Sequence, residues 1–104
     1  MVLMHICCNS ATQAEEVVDF LLDEKLVLDA LVSDKLLYKR VQNKAKKSFG
    51  QTLVMGTTKA LLFTKINKKI KEKYPSNTPL VYAMPIIYMD PLQEKKLKKN
   101  TEKV

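Results

Sequence analysis

An α+β fold of order β-α-β-β-α-β, closed by a short C-terminal helix, is predicted by three observations. The hydrophobic period switches along the chain, from short extended apolar runs to stripes at helical spacing and back. Helix punctuation is strong: Ser10 and Asp90 each precede a helical pattern, and Tyr74-Pro75 ends a basic amphipathic one before a tight Ser-Asn-Thr-Pro connection. The chain has 104 residues, 46% of them hydrophobic and 28% charged. That composition suits one domain over residues 1–104, with a core that needs no disulfide.

Val2–Cys8 is a short apolar run whose length suits a covered strand. Alternation puts His5 and Cys7 on one face, and Met4, Ile6 and Cys8 on the other. Ser10 opens a helix, with Gln13 three residues later as its capping-box partner. Ala14, Val17, Val18, Leu21 and Leu22 form the helix's apolar stripe. Asp23-Glu24-Lys25 turns the chain to solvent. Leu26–Val32 reads as the second strand, with a bend or bulge at Ser33-Asp34 and extended chain again over Lys35–Val41.

The polar stretch Gln42–Gly50, with clustered lysines, reads as a hairpin loop, and Gln51–Gly56 as the returning strand. Thr57 or Thr58 caps the next helix. Leu62, Phe63, Ile66, Ile70 and Tyr74 are its apolar stripe, and Pro75 stops it. Leu80–Met89 is the last strand, interrupted at Pro85. Asp90-Pro91 is an N-cap with proline at the first helical position. Leu92 and Leu97 anchor a Lys-rich terminal helix, and the last few residues fray. Elements in this order build a ferredoxin-like sandwich, one antiparallel sheet with both helices on one face. The other face of the sheet is not polar enough for solvent. Leu26, Val27, Leu28, Ala30, Leu31 and Val32 place apolar groups on both sides of the second strand, so self-association is expected.

Composition narrows the function. The formal net charge is +7, which raises nucleic-acid binding. Arg40 is the only arginine, however, and bidentate reading of phosphates and guanine edges favours arginine. A lysine-rich surface reads as a solvated face, so a nucleic-acid partner is not expected. RNA-recognition modules share the element order, and Lys47-Ser48-Phe49-Gly50 is similar to the start of their aromatic motif. Gln51, Leu53 and Met55 then supply no stacking rings, nor does Met4-His5-Ile6. Cys7 and Cys8 are adjacent, so no intrachain disulfide framework is read. The apolar N-terminal run is short and lacks a basic n-region, and no stretch approaches the ~18–20 apolar residues of a membrane span. A cytoplasmic protein without a membrane partner is expected.

The chemistry-bearing residues are few. His5 and Cys7 share a strand face at i, i+2, a spacing that can chelate a soft ion such as Cu(I) or Zn(II). They are the candidate metal ligands. Two ligands are too few for a tight site, and the competing structural reading makes Cys7 and Cys8 small core hydrophobes beside a partly exposed His5. A Cys–His nucleophile pair would need an orienter and an oxyanion turn. With Gly50 and Gly56 the only glycines, neither that turn nor a phosphate-cradling loop is present, so an enzyme is not expected.

Four stretches, DEKLVLDALV, LLYKRVQ, LVMGTTKALLFTKINKKIKEKYPSNTP and PLVYAMPI, carry a resemblance. Through them, and across nearly its whole length, the chain resembles the CutA-type divalent-cation tolerance family. The spacing of Pro75, Pro79 and Pro85 is the most specific of them. The resemblance implies a ferredoxin-like homotrimer in which a long hairpin arm packs on a neighbouring subunit. It also implies copper or another divalent metal as the associated ligand, with Cys7 standing in for the family's first-strand cysteine. Several family positions are changed: Tyr74 replaces a turn histidine, Leu80 a glutamate, Arg40 a tryptophan, and Gly56 the lysine before the Thr57-Thr58 pair. The architecture is also related to PII signalling proteins. That relation gives the alternative function, a small-ligand or nucleotide sensor whose intersubunit clefts would be lined by Tyr38, Thr57, Thr58 and Tyr74.

Overall fold

The computed structural model describes residues 1–104. Four strands, β1 (Val2–Cys8), β2 (Ala30–Gln42), β3 (Ala45–Thr58) and β4 (Leu80–Pro85), form one sheet in the order β2-β3-β1-β4. Every neighbouring pair is antiparallel. The helices are α1 (Ala11–Asp23), α2 (Phe63–Lys73), preceded by a 3-10 turn at Ala60–Leu62, and α3 (Pro91–Asn100). This is the predicted α+β, ferredoxin-like order with its C-terminal helix.

Alternation on β1 turns Met4, Ile6 and Cys8 toward the helices, where they are fully buried. They meet Val54 of β3, Ala14, Val17 and Leu21 of α1, and Ile66 and Ile70 of α2 in one core cluster. The opposite parity, with His5 and Cys7, faces the open side of the sheet. Ser10 caps α1 through its hydroxyl, which accepts from the Gln13 amide at 3.1 Å. The return bond differs from the capping box: Gln13 Oε1 accepts from the amide of Asn9, one residue earlier than expected, at 2.8 Å. Asp90 caps α3 as the sequence indicates, accepting from the amides of Leu92 and Gln93.

Several expectations fail, each for a local reason. The predicted loop Gln42–Gly50 is mostly ladder. β2 and β3 stay paired out to Gln42↔Ala45, and only Asn43-Lys44 turn, both with positive φ. Positive φ at both central residues marks the turn whose twist matches a hairpin. The second strand starts at Ala30, because Leu26 is drawn back toward α1 by an amide bond to the Leu21 carbonyl. Thr57 and Thr58 do not cap a helix; they are the last residues of β3, and Lys59 precedes the 3-10 turn without a side-chain cap. β4 ends at Pro85, whose amide position faces away from β1; one more bond, from the Ile86 amide to the Met1 carbonyl, follows it, and 86–89 are not strand. Leu97 is buried under α3, but Leu92 points to solvent. The tail does not fray at once: Thr101 is buried and the Glu102 amide donates to the Lys25 carbonyl at 2.7 Å.

The expected irregularity at Ser33-Asp34 is a β-bulge. The register steps from Ser33↔Leu53 to Leu36↔Gln51, so Asp34 and Lys35 oppose the single residue Thr52. Asp34 Oδ1 fixes it, accepting from the Lys35 amide at 2.7 Å and from Thr52 Oγ1 at 2.8 Å. The extra residue reverses the strand's parity. Leu31 and Ser33 lie on the open face before the bulge; Leu36, Tyr38 and Arg40 lie on it afterwards.

Candidate functional site

The bulge sets the site. It carries Tyr38 and Arg40 onto the sheet face that already holds Cys7, and pairs them with Phe49 and Lys47 of β3. Where the β2–β3 arm leaves the body of the sheet, Cys7, Tyr38, Arg40 and Phe49 border a cleft of about 350 Å³. Cys7, Gln51 and Leu80 form its floor, Tyr38, Arg40 and Phe49 its arm side, and the 76–78 connection its far rim.

That rim is anchored from below. The Asn77 carbonyl accepts from Asn9 Nδ2 at 2.9 Å and from Gln13 Nε2 at 3.0 Å. Thr78 Oγ1 donates to the Tyr74 carbonyl just after α2. Buried Gln13 therefore ties the end of β1 and the 76–78 connection together. On the arm, the Tyr38 and Phe49 rings are 6.4 Å apart, and the Arg40 guanidinium lies 5.0 Å from the Phe49 centroid and 5.9 Å from that of Tyr38. Stacking of this kind holds a flexible cation in place.

His5 and Cys7 do share the open face. His5 Nδ1 meets the Tyr82 hydroxyl at 3.4 Å, and its Nε2 is shielded from solvent without a partner. The Cys7 thiol donates to Gln51 Oε1 at 3.6 Å. Burial raises the Cys7 thiol above its ordinary value; burial, and secondarily the neighbouring Cys7, push Cys8 up to about 12. Both are thiols at neutral pH, so metal binding would have to displace a proton. No group of three or more His, Cys, Asp or Glu side chains assembles in the chain. One imidazole and one thiol do not make up a divalent-metal site, so the donor set of a single chain does not fit a resident metal.

The other four candidate residues are dispersed. Tyr38 lines the cleft. Thr57, on the open face at the far end of β3, donates to Asp29 Oδ1 at 2.9 Å. Thr58 is buried on the helix side and donates to the Leu26 carbonyl. Tyr74 is buried where α2 meets α1, and its hydroxyl donates to Glu16 Oε1 at 2.8 Å. Within one chain they form no common surface. The sequence reading missed Phe49 and Gln51 as site residues, and noted Arg40 only as the lone arginine and as a changed position. The signal for them was the bulge, read together with strand pairing through the lysine-rich stretch.

Beyond the cleft, the open face is apolar. Leu31, Met55, His5 and Tyr82 form one row across the four strands, and Ser33, Leu53, Cys7 and Leu80 the next. Leu31 is 69% exposed, and past β4 Ile87 and Tyr88 are 81% and 93% exposed. No helix of the chain is long and apolar enough to cross a membrane.

No protein-family model matches the sequence, and no curated protein matches it. Solved structures do match. CutA1 from Oryza sativa superposes with a TM-score of 0.93 at 14% identity, over 99% of this chain and 94% of that one. The divalent cation tolerance protein CutA1 from Thermus thermophilus gives 0.90 at 20% identity, over 98% and 100%. The protein from Archaeoglobus fulgidus described as a periplasmic divalent cation tolerance protein, CutA, gives 0.89 at 17% identity, over 98% and 100%. The likeness is one of fold and takes in nearly the whole of each chain.

Proposed function

We propose that this chain is a divergent CutA-type divalent-cation tolerance protein: a small cytoplasmic homotrimer that works as a metal-related binding or signalling module rather than as an enzyme. The observation that carries the reading is the end-to-end superposition on CutA1 structures, with matching chain lengths. The open sheet face supports the assembly. Its rows of Leu31, Leu53, Met55, Tyr82 and Met84, and the exposed Ile87 and Tyr88 beyond them, form an apolar surface that a lone chain leaves wet. Closed rotational symmetry lets identical copies cover such a face. The two donors His5 and Cys7 do not complete a metal site alone, so the metal-related role belongs to the assembly and not to one chain.

Light scattering on the purified protein tests the proposal. A mass three times that of the 11.9 kDa chain is expected at micromolar concentration. Leu53→Glu, which puts a charge in the middle of the open face, should give monomers that keep their helix content. A monomeric wild-type chain would sink the trimer.

A further inference from the structure

Two complementary features lie at opposite ends of the sheet. The cleft at the root of the arm has Cys7 and Leu80 on its floor, opposite each other in the ladder. β4 then runs to Pro85, opposite Val2 and about 17 Å away. Just past that end stand Ile87 and Tyr88, 81% and 93% exposed, more than any other large apolar side chain of the molecule. They cannot fold back into the cleft of their own chain. The Ile86 amide is bonded to the Met1 carbonyl at 3.0 Å, and Asp90 caps α3 through the Leu92 and Gln93 amides, so the segment is tied on both sides. Charge is complementary too. Arg40 borders the cleft, yet the three ion pairs of the molecule join Lys65 to Glu102, Lys69 to Glu24 and Lys98 to Glu94, and leave it out. No residue lining the cleft is acidic. Asp29 is held by Thr57, and Asp34 by Thr52 and the Lys35 amide. Asp90, two residues beyond Tyr88, uses Oδ2 for its cap and keeps Oδ1 free.

We propose that the cleft is the socket for the 87–90 segment of a neighbouring copy, whose Tyr88 ring seats against Tyr38, Phe49 and Leu80 and whose Asp90 carboxylate meets Arg40. The inference rests on the homotrimer proposed above and assigns the surfaces that join its copies. Knob and socket sit at different places on one chain, so the contact is heterologous: each copy gives Tyr88 to one neighbour and receives it from the other. Heterologous contacts of this kind close into rings, and closure at three leaves neither feature wet. An assembly that covers the arm must also give Arg40 a counter-charge, because a buried unpaired cation is costly. Tyrosine brings a large apolar body with a polar tip, and tyrosine and arginine are frequent anchors of protein interfaces. Gln51 and the 76–78 rim offer polar atoms to the phenol hydroxyl.

Photo-cross-linking and subunit exchange of the full chain test it. With p-benzoylphenylalanine in place of Tyr88, isotope-labelled and unlabelled chains are refolded together and irradiated. Adducts between labelled and unlabelled chains are expected on peptides carrying Tyr38, Phe49 or Leu80. Adducts confined to one chain, or to the helix side of another, overturn the proposal. Tyr88→Lys, at a position 93% exposed in the single chain, should keep the helix content and speed subunit exchange, read by native mass spectrometry, about tenfold or more. Arg40→Glu should speed it as well, and combining Arg40→Glu with Asp90→Lys should recover slow exchange, which loss of the α3 cap by itself would not. Exchange at the wild-type rate in both Tyr88→Lys and Arg40→Glu overturns the docking and leaves the trimer standing. A monomeric wild type overturns trimer and docking together.

Discussion

The phenol of Tyr74 donates to Glu16 Oε1 at 2.8 Å and so joins the end of α2 to the outer side of α1. Burial, followed by the hydrogen bond to Glu16 and that residue's charge, pushes the phenol up to about 12. The folded state therefore favours the protonated phenol over the unfolded chain, whose tyrosine titrates near 10. This contribution is complete below about pH 10 and is lost as pH rises toward 12. Tyr74→Phe keeps the ring and removes the bond, at a cost of about 1 kcal/mol at neutral pH. Urea unfolding between pH 9 and 11.5 should show the wild type losing more stability than the variant. Parallel curves would show that the phenol plays no part in alkaline destabilisation.

The two glycines should respond oppositely to alanine. A Cβ on Gly56 would come within 3.1 Å of the Asp29 carbonyl oxygen and 3.2 Å of Val27 Cγ1. The 26–29 segment cannot easily withdraw, because the Leu28 amide is bonded to the Thr57 carbonyl and Asp29 Oδ1 to the Thr57 hydroxyl. Gly56→Ala is expected to cost about 1–3 kcal/mol. On the arm, a Cβ on Gly50 would meet nothing within 4 Å, so Gly50→Ala should be neutral or mildly stabilising. Thermal unfolding of the two variants beside the wild type gives the comparison, and equal losses would contradict it.

Where burial and capping act locally, the sequence was readable. Ser10, Pro75 and Asp90 mark helix ends, the parity of β1 follows from its apolar alternation, and the bulge falls where Ser33-Asp34 interrupts β2. The arm was not readable, because from Leu36 outward β2 and β3 lie beyond the helices and both their faces are wet. Without a buried face there is no alternation to see, and Lys44, Lys46 and Lys47 resemble a loop. Thr57-Thr58 before an apolar run looks like a helix cap, yet ladder bonds to β1 hold both residues in the strand. The cleft was hidden for the same reason as the arm: Arg40, Phe49 and Gln51 converge only once the lysine-rich stretch is paired.

The arm's turn can be strengthened. Asn43 and Lys44 adopt φ of 52° and 63°. Asparagine tolerates that region, whereas lysine is disfavoured in it. Lys44→Gly supplies the Asn-Gly pair that such turns prefer, and should stabilise the arm by roughly 0.5–1 kcal/mol. Hydrogen exchange should slow at the amides of Gln42 and Ala45 in the variant. Faster exchange there would contradict the turn geometry.

Metal titration separates the roles of His5 and Cys7. If the assembled protein holds Cu(I) or Zn(II) through them, reduced wild type should bind more tightly than either His5→Ala or Cys7→Ala. Affinity should also rise with pH, because burial keeps the Cys7 thiol protonated and binding must release that proton. Equal affinity in all three proteins would remove these residues from any metal site.

Glu102 pairs with Lys65, its amide donates to Lys25, and the Lys59 ammonium donates to the carbonyls of Thr101 at 3.3 Å and Glu102 at 2.9 Å. Buried Thr101 reaches back to the Leu97 carbonyl. Together these contacts pin the end of the chain against the loop after α1 and the start of α2. Removing residues 101–104 should lower the melting temperature by roughly 4–8 °C for each kcal/mol lost. Glu102→Gln separates the ion pair from the rest. The hydrogen bond from Lys65, then the charges of Lys65 and Lys69, hold the Glu102 carboxyl below its ordinary value. Its contribution is therefore present above the unfolded carboxyl's pKa, near 4.5, and is lost as pH falls through the depressed folded value. Glu102→Gln should flatten the acid limb of the stability profile while leaving the Glu102 amide protected from exchange. Loss of that protection would mean that the ion pair, and not the backbone bond to Lys25, holds the tail.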